Sequence, residues 1–261
     1  MLHLTKTLFD YREAAGVLAR VNLKTTVATT RLGWLWWIFD PLVMMGIYYF
    51  MVKIVFDRGG DGYHLFALTG IVSWQYFAKT IQLTATTLHR NKQLLTHTKV
   101  PLEVFTVVPL LIQTFFALIG YGIIVVWNAQ GMTVNVLYLF PILFVMGLFA
   151  MAFGAIMSIC VVFLPDASKF IDYGLRAGFF ITPILYPASR IAESGRIPEL
   201  MKDILALNPM MWAITQLRNV ILYRTPLDLG SFVLWLVAGM IALQLAMVVL
   251  RMNRQNVMKH L

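Results

Sequence analysis

Six long apolar stretches constrain this chain more than any other feature: 34–56, 63–80, 102–127, 136–163, 171–186 and 229–250. A helix needs about 20 predominantly apolar residues to cross roughly 30 Å of hydrocarbon. Lipid offers backbone N–H and C=O groups no partner, so spans must bond internally, as helices do. The expected fold class is therefore all-α integral membrane: six transmembrane helices, an N-terminal amphipathic interface helix, and two short re-entrant helices between spans 5 and 6. Charge usage agrees. Only 13% of the 261 residues are charged, where a soluble domain carries about 25%. The fifth stretch is short and contains Arg176, which makes it the weakest of the six.

No internal repeat, low-complexity tract or interdomain linker interrupts the chain, so one domain is expected over 1–261. Its parts are an interface helix in 1–33, spans 1–5 in 34–186, re-entrant helices in 187–228, and span 6 with a tail in 229–261. The first 33 residues are charged and not continuously apolar, so no cleavable signal peptide is read, and the first span is expected to target the chain.

Net charge is +9 with a sequence pI near 9.8, which raises nucleic acid as a partner. The cations sit in loops beside spans, however, where they act as a topology signal and attract anionic headgroups. With the N-terminus inside, Lys6, Arg12, Arg20, Lys24, Arg31, Lys79, Arg90, Lys92, Lys99, Lys169, Arg176, Arg251, Arg254 and Lys259 all fall on the cytoplasmic side. Arg58 alone occupies a short external loop. Both termini are thus expected in the cytoplasm.

Two further elements follow from pattern. Leu4, Leu8, Tyr11, Ala15 and Leu18 recur at helical spacing with Lys6, Arg12, Arg20 and Lys24 between them, as expected of a helix lying in the membrane interface. In 187–228, Asn208 suits an N-cap and Pro209 the first helical position. Met210, Ile214, Leu217 and Ile221 then form an apolar stripe. Two short helices hinged at Asn208-Pro209, dipping into the outer leaflet, are expected.

Catalytic signatures are missing. The chain has no Gly-x-x-x-x-Gly-Lys-Ser/Thr loop to cradle nucleotide phosphates. His3, His64, His89, His97 and His260 lack metal-ligand spacing. Asp40, Glu103, Asp166 and Asp172 are scattered, with no pairing for general acid/base work. Cys160 has no partner cysteine and reads as a small buried packing residue. No metal or cofactor is expected in this chain.

Aromatic residues crowd the first two spans. Trp34, Trp36 and Trp37 fit an interfacial belt. Tyr48, Tyr49 and Trp74 lie deeper, and either extend that belt or line a path suited to sugar faces, which offer C–H patches and hydroxyls together. The polar, basic segment Thr86–Val100, closed by Pro101, is a solvated connector by composition alone.

The motifs Asn22-Leu23-Lys24, Leu32-Gly33-Trp34-Leu35-Trp36 and Asp40-Pro41-Leu42 resemble the opening of type-2 ABC exporter permeases for cell-surface glycopolymers. Gly70-Ile71-Val72-Ser73-Trp74 looks like that family's second span, and Lys99-Val100-Pro101-Leu102-Glu103 like the approach to its third. Thr182-Pro183-Ile184-Leu185-Tyr186 and Leu207-Asn208-Pro209-Met210, with Arg218 beyond, resemble its C-terminal half. The likeness runs in order along essentially the whole chain.

The family exports O-antigen, capsular polysaccharide and wall teichoic acid. The resemblance implies a permease subunit in the bacterial cytoplasmic membrane, a homodimer bound to two copies of a cytoplasmic ATPase that binds the ATP. Its substrate would be a polymer on a polyprenyl pyrophosphate lipid. By the same likeness Thr87–His97 would be the coupling helix docking into the ATPase, through Thr87, His89, Arg90, Lys92 and His97. Pro165–Phe170, with Asp166, would be a second contact. Lys24 and Arg31 either anchor the cytoplasmic side or meet the pyrophosphate, while Tyr48, Tyr49 and Trp74 are the candidate substrate-lining residues. The chain departs from the family pattern at Thr26-Val27, where a basic–aromatic pair is common, and at Pro165-Asp166, where Arg-Asp is common. Export of a drug or small lipid, a membrane enzyme of polyprenyl-linked sugars and a passive channel remain the alternatives.

Overall fold

The computed structural model describes residues 6–7, 9–28, 33–98, 100–131 and 133–261. Every regular element among them is helical. Helix α1 spans Arg12–Ala28. After a 3₁₀ turn at Gly33–Leu35, α2 runs over Trp36–Tyr49 and widens into a π-helical turn at Phe50–Val55. The long α3, Tyr63–Arg90, is followed by the short α4, Lys92–His97. Then come α5, Leu102–Trp127, and α6, Leu139–Phe163, the latter led in by a 3₁₀ turn at Val134–Tyr138. Helix α7 spans Ala167–Ile181. The short α8, Ser189–Ala192, and α9, Glu199–Ala206, precede α10, Pro209–Ile221. The chain closes with α11, Leu229–Met252, and α12, Arg254–His260.

Four helical stretches are long and apolar enough to cross a bilayer: Trp36–Val55, Leu102–Trp127, Val134–Phe163 and Leu229–Met252. They match the expected first, third, fourth and sixth spans closely. Caps explain two of the sharp boundaries. Pro101 precedes α5 in an extended conformation, and the Asp228 carboxylate accepts the Gly230 N–H at 3.1 Å to open α11.

Helix α3 differs from these four. It carries Gln75, Lys79, Gln82 and a run of Ser and Thr residues. It is also the helix the others surround, packing against α2, α5, α6, α7 and α10. Its polar groups therefore meet protein. Thr69, Ser73 and Thr80 are fully buried, and each donates its hydroxyl to the carbonyl four residues back, at 2.8, 2.6 and 2.6 Å. The Ser73 hydroxyl also lies 2.6 Å from the Tyr121 hydroxyl of α5, and the Tyr76 hydroxyl donates to the Leu143 carbonyl of α6 at 3.3 Å. Satisfied in this way, polar side chains hold helices together instead of opposing burial.

Close helix approach also needs small residues. A Cβ on Gly147 would lie 2.7 Å from the Tyr76 hydroxyl oxygen, and one on Gly154 2.6 Å from the Thr84 Cβ. Both glycines are on α6 and face α3.

Several expectations change. The second apolar stretch, read as 63–80, is the first part of a helix continuing to Arg90. The extra turns are held because Thr84, Ala85 and Leu88 are buried against the bundle. The fifth stretch, read as 171–186, is helical over Ala167–Ile181 only. Pro183 disfavours helical geometry at the residue before it, and Thr182 is accordingly extended (φ −77°, ψ 141°). Cys160, expected to be buried, is exposed on the outer face of α6. The apolar run around it marks a surface facing out of the bundle, not the core.

The N-terminal amphipathic pattern does form a helix. Ala15 and Ala19 are buried, and Leu18, Leu23 and Ala19 pack with Val108, Ile112 and Phe116 of α5. Leu4 and Leu8 of that pattern lie outside the described residues.

Replacing Gly154 with Val should lower the thermal-unfolding midpoint in detergent, by roughly 1–3 kcal/mol of overpacking. An unchanged midpoint would contradict the close α3–α6 approach.

Candidate functional site

The face of α3 turned toward α2 and α7 carries Gln75, Lys79 and Gln82, spaced by four and three residues on one side of the helix. Lys79 Nζ makes an ion pair with Asp40 of α2 at 2.9 Å, and Gln75 Nε2 donates to the same carboxylate at 3.2 Å. The Lys79 ammonium also sits 4.6 Å from the Trp37 ring centroid. One helical turn further on, Gln82 Nε2 donates to Asp172 of α7 at 2.8 Å. Asp40 and Asp172 are thus not isolated acids: each ties a flanking helix to α3. The Asp40–Lys79 pair is partly exposed, and Gln75 and Lys79 line a small crevice with Trp37 of α2 and Gln113 and Phe116 of α5.

Aromatic rings join α2, α3 and α7 toward the other end of the bundle. Tyr48 of α2 stacks on Phe179 of α7 at 5.5 Å between centroids, and Trp74 of α3 meets Phe179 edge-on at 6.4 Å. Tyr48 and Tyr49 are half-buried. Trp74 is only 8% exposed, because its ring packs against the backbone of Gly178, where a Cβ would come within 2.8 Å. Tyr49 faces a different way, toward Tyr63 and His64 at 6.5 and 6.4 Å. Two of the three expected lining rings, Tyr48 and Trp74, therefore converge on Phe179, while Tyr49 stands apart. Lys24 is exposed on α1 and has no ion pair among the described residues. Arg31 lies outside the described residues.

The opposite end of α3 holds the basic residues singled out in the sequence. Thr87–His97 is not one helix: α3 ends at Arg90, the chain turns at Asn91, and α4 begins at Lys92. Thr87 is buried inside the bundle and donates to the Phe105 carbonyl at 3.3 Å. His89, Arg90, Lys92 and His97 are exposed. Leu95 is the buried anchor of α4, joining Leu88, Leu102 and Leu250 in one apolar cluster. Nearby in sequence to the α6–α7 turn, Asp166 is exposed and pairs with Lys169 at 3.0 Å.

A clamp that sequence reasoning missed lies at the far end. Arg218 of α10 is 3% exposed. It donates to the carbonyls of Pro183 at 2.8 Å, Phe66 at 3.2 Å and Ile184, and its guanidinium lies over the Phe66 ring at 3.4 Å. One planar fork thereby joins α10, the extended segment after α7, and α3. Gly70 makes room for it: a Cβ there would sit 2.7 Å from the Ile184 carbonyl oxygen and 2.8 Å from Arg218 Nη2. Asn208 caps α10 as expected, accepting the Met210 N–H at 2.9 Å, and its amide donates to Thr182 Oγ1 at 3.0 Å. The Met210, Ile214, Leu217 and Ile221 stripe is buried. The sequence signals for the clamp were Gly70, inside a recognised motif, and Arg218, beyond another, with no hint of their contact.

Long apolar helices gathered around one polar helix define a multi-pass membrane protein. No family model matches the chain. Three curated proteins are similar to it over most of their length. Two are forms of the O-antigen export system permease protein RfbA of Klebsiella pneumoniae, 29% identical over 80% of each chain and 28% identical over 78% of each chain. The third is the protein of that name from Myxococcus xanthus, 28% identical over 84% of each chain. The chain is thus similar, over about four fifths of its length, to proteins named as permeases of O-antigen export systems.

Replacing Arg218 with Ala leaves three buried carbonyls without their donor. Amide hydrogen exchange across 182–187 should then speed up. Exchange identical to wild type would show that the clamp does not hold this segment.

Proposed function

We propose that this chain is the transmembrane subunit of an ATP-driven exporter that moves a polyprenyl-pyrophosphate-linked polysaccharide or teichoic acid across the bacterial cytoplasmic membrane. The observation that carries the reading is the set of aromatic and polar contacts joining α2 and α7 to each other and to α3: Tyr48 on Phe179, and the Asp40–Lys79 and Gln82–Asp172 bonds. Sugar rings present C–H faces to aromatic rings and hydroxyls to amides and carboxylates, and such contacts tolerate a repeating polymer. The permeases similar to this chain carry O-antigen export in their names, and the chain has no phosphate-cradling glycine loop.

In this reading six helices span the membrane, with α3 and the 15-residue α7 as the second and fifth. Both termini face the cytoplasm, as the cation distribution favours, while α9 and α10 re-enter from the outer side. Two copies of the chain assemble with two ATPase subunits. The outward apolar row Trp36, Phe39, Val43, Ile47 and Phe50 of α2, and the exposed Phe170, Tyr173 and Phe180 of α7, supply surface for that pairing. His89, Arg90, Lys92 and His97, with Asp166 on the neighbouring turn, meet the ATPase, and Thr87 positions them through α3. Lys24 and Arg31 hold the pyrophosphate headgroup by charge-assisted bonds. Tyr48, Tyr49 and Trp74 form or back the aromatic wall along which the glycan slides.

Changing Tyr48 and Tyr49 together to Ala should leave membrane insertion and co-purification with the ATPase intact while cutting surface glycan by about tenfold, the loss expected for stacking contacts worth near 1.4 kcal/mol in all. Wild-type surface glycan in that variant refutes the lining role.

A further inference from the structure

A second cavity, of about 460 Å³, opens beside the first turn of α3, within the about 300–1,000 Å³ of small-molecule sites. Its walls are the rings of Tyr63, Phe66, Tyr186 and Tyr223, and Arg58 and Arg190 stand at its rim. Helix α3 has 28 residues, which puts this cavity about 42 Å from α4, where the ATPase is proposed to dock.

We propose that this cavity binds an acidic sugar residue, one carrying a carboxylate, of the exported glycan. The proposal rests on the exporter reading for its source of ligand and on the following observations for its chemistry. Both rim arginines are exposed and form no ion pair among the described residues. The acids of the same loop, Asp57 and Asp61, do not line the cavity and pair with neither arginine. Behind the Phe66 wall lies the Arg218 guanidinium, whose bonds all go to carbonyl oxygens and none to a carboxylate. Two unpaired arginines thus line a cavity that no acid lines, and a third lies over the Phe66 ring of its wall. A guanidinium fork matches a carboxylate in two parallel hydrogen bonds.

The walls select a ring to go with that charge. Tyr63 and Tyr186 are held in place by their own hydroxyls, which donate to the Leu185 carbonyl at 3.1 Å and the Ile181 carbonyl at 3.0 Å. Tyr63 is only 3% exposed and backs the wall, while the half-buried Tyr186 and the exposed Tyr223 leave ring surface for stacking. Tyr223 is exposed, and its hydroxyl has no hydrogen-bond partner shown among the described residues. The loop that closes the cavity is shaped to lie on Tyr63. Gly59 has φ +99°, and a Cβ there would come within 2.7 Å of the Tyr63 ring. Any side chain at that position would push the wall inward. A phosphate headgroup would use the cations and leave the four rings idle; a neutral sugar would use the rings and leave the cations idle. An acidic sugar uses both.

The test is equilibrium dialysis of the full chain in lipid nanodiscs against three probes: a glucuronate-containing disaccharide, its carboxyl-reduced neutral form, and inorganic pyrophosphate. The acidic disaccharide should bind about tenfold more tightly than the reduced one. The double variant Arg58→Gln/Arg190→Gln should abolish that difference, and Tyr223→Ala should weaken both saccharides. The arginines are exposed, so an unchanged unfolding midpoint is expected for their variant and confirms that its fold is intact. Equal affinity for the two saccharides in wild type overturns the proposal. So does pyrophosphate binding that exceeds the acidic disaccharide and ignores Tyr223→Ala, which would assign the cavity to a phosphate headgroup. Dialysis needs neither ATP nor the ATPase, so its failure leaves the exporter reading standing. Hydrolysis of ATP by the purified chain alone would strike that reading and leave the dialysis result unchanged.

Discussion

Hydrocarbon gives a polar side chain nothing to bond with, and the arrangement of this protein follows from where its polar side chains can go. The densest set of them is on α3: Thr69, Ser73, Gln75, Lys79, Thr80 and Gln82. Surrounding that helix with α2, α5, α6, α7 and α10 lets hydroxyls bond to carbonyls, amides to carboxylates, and the ammonium of Lys79 to Asp40. The outer helices can then be apolar on the faces they turn away from it. Glycines on α6 let that wrapping close to van der Waals distance.

A stiff, well-bonded central helix also suits transmission. At one end Leu95 fixes the short α4 to the bundle while four basic side chains point outward. At the other, Arg218 ties α3 to α10 and to the extended segment after α7. Between them lie the Tyr48–Phe179 contact and the Lys79–Asp40 pair. Helix α3 runs unbroken from Tyr63 to Arg90, so a partner docking at α4, as proposed above, would be joined to the clamp through one helix. The buried guanidinium of Arg218 bonds to carbonyl oxygens, and it lies over the Phe66 ring, which is one wall of the arginine-rimmed cavity.

Much of this was legible in the sequence because lipid makes composition and length decisive. The third and sixth apolar stretches matched their helices to within two residues, and Asn208-Pro209 announced the cap that opens α10. What composition could not reveal was the partner of each polar group. Asp40 and Lys79 are 39 residues apart, and Arg218 reaches Phe66 across 152. No periodicity connects residues so distant. Cys160 misled for the related reason that an apolar neighbourhood in a membrane protein describes an outer face as well as a core. The break in Thr87–His97 was hidden because Asn91 is an ordinary polar residue in a polar run, and only its backbone (φ −102°, ψ 21°) separates the two helices.

The central claim is that this chain supplies the membrane path and a separate subunit supplies ATP hydrolysis. The most direct measurement is ATP turnover in nanodiscs, by the purified chain alone and with its cognate ATPase, with and without the lipid-linked glycan. The account predicts no hydrolysis by the chain alone, and hydrolysis by the complex that rises when the glycan is added. Hydrolysis of ATP by the chain alone, or turnover of the lipid-linked sugar without the ATPase, would contradict it.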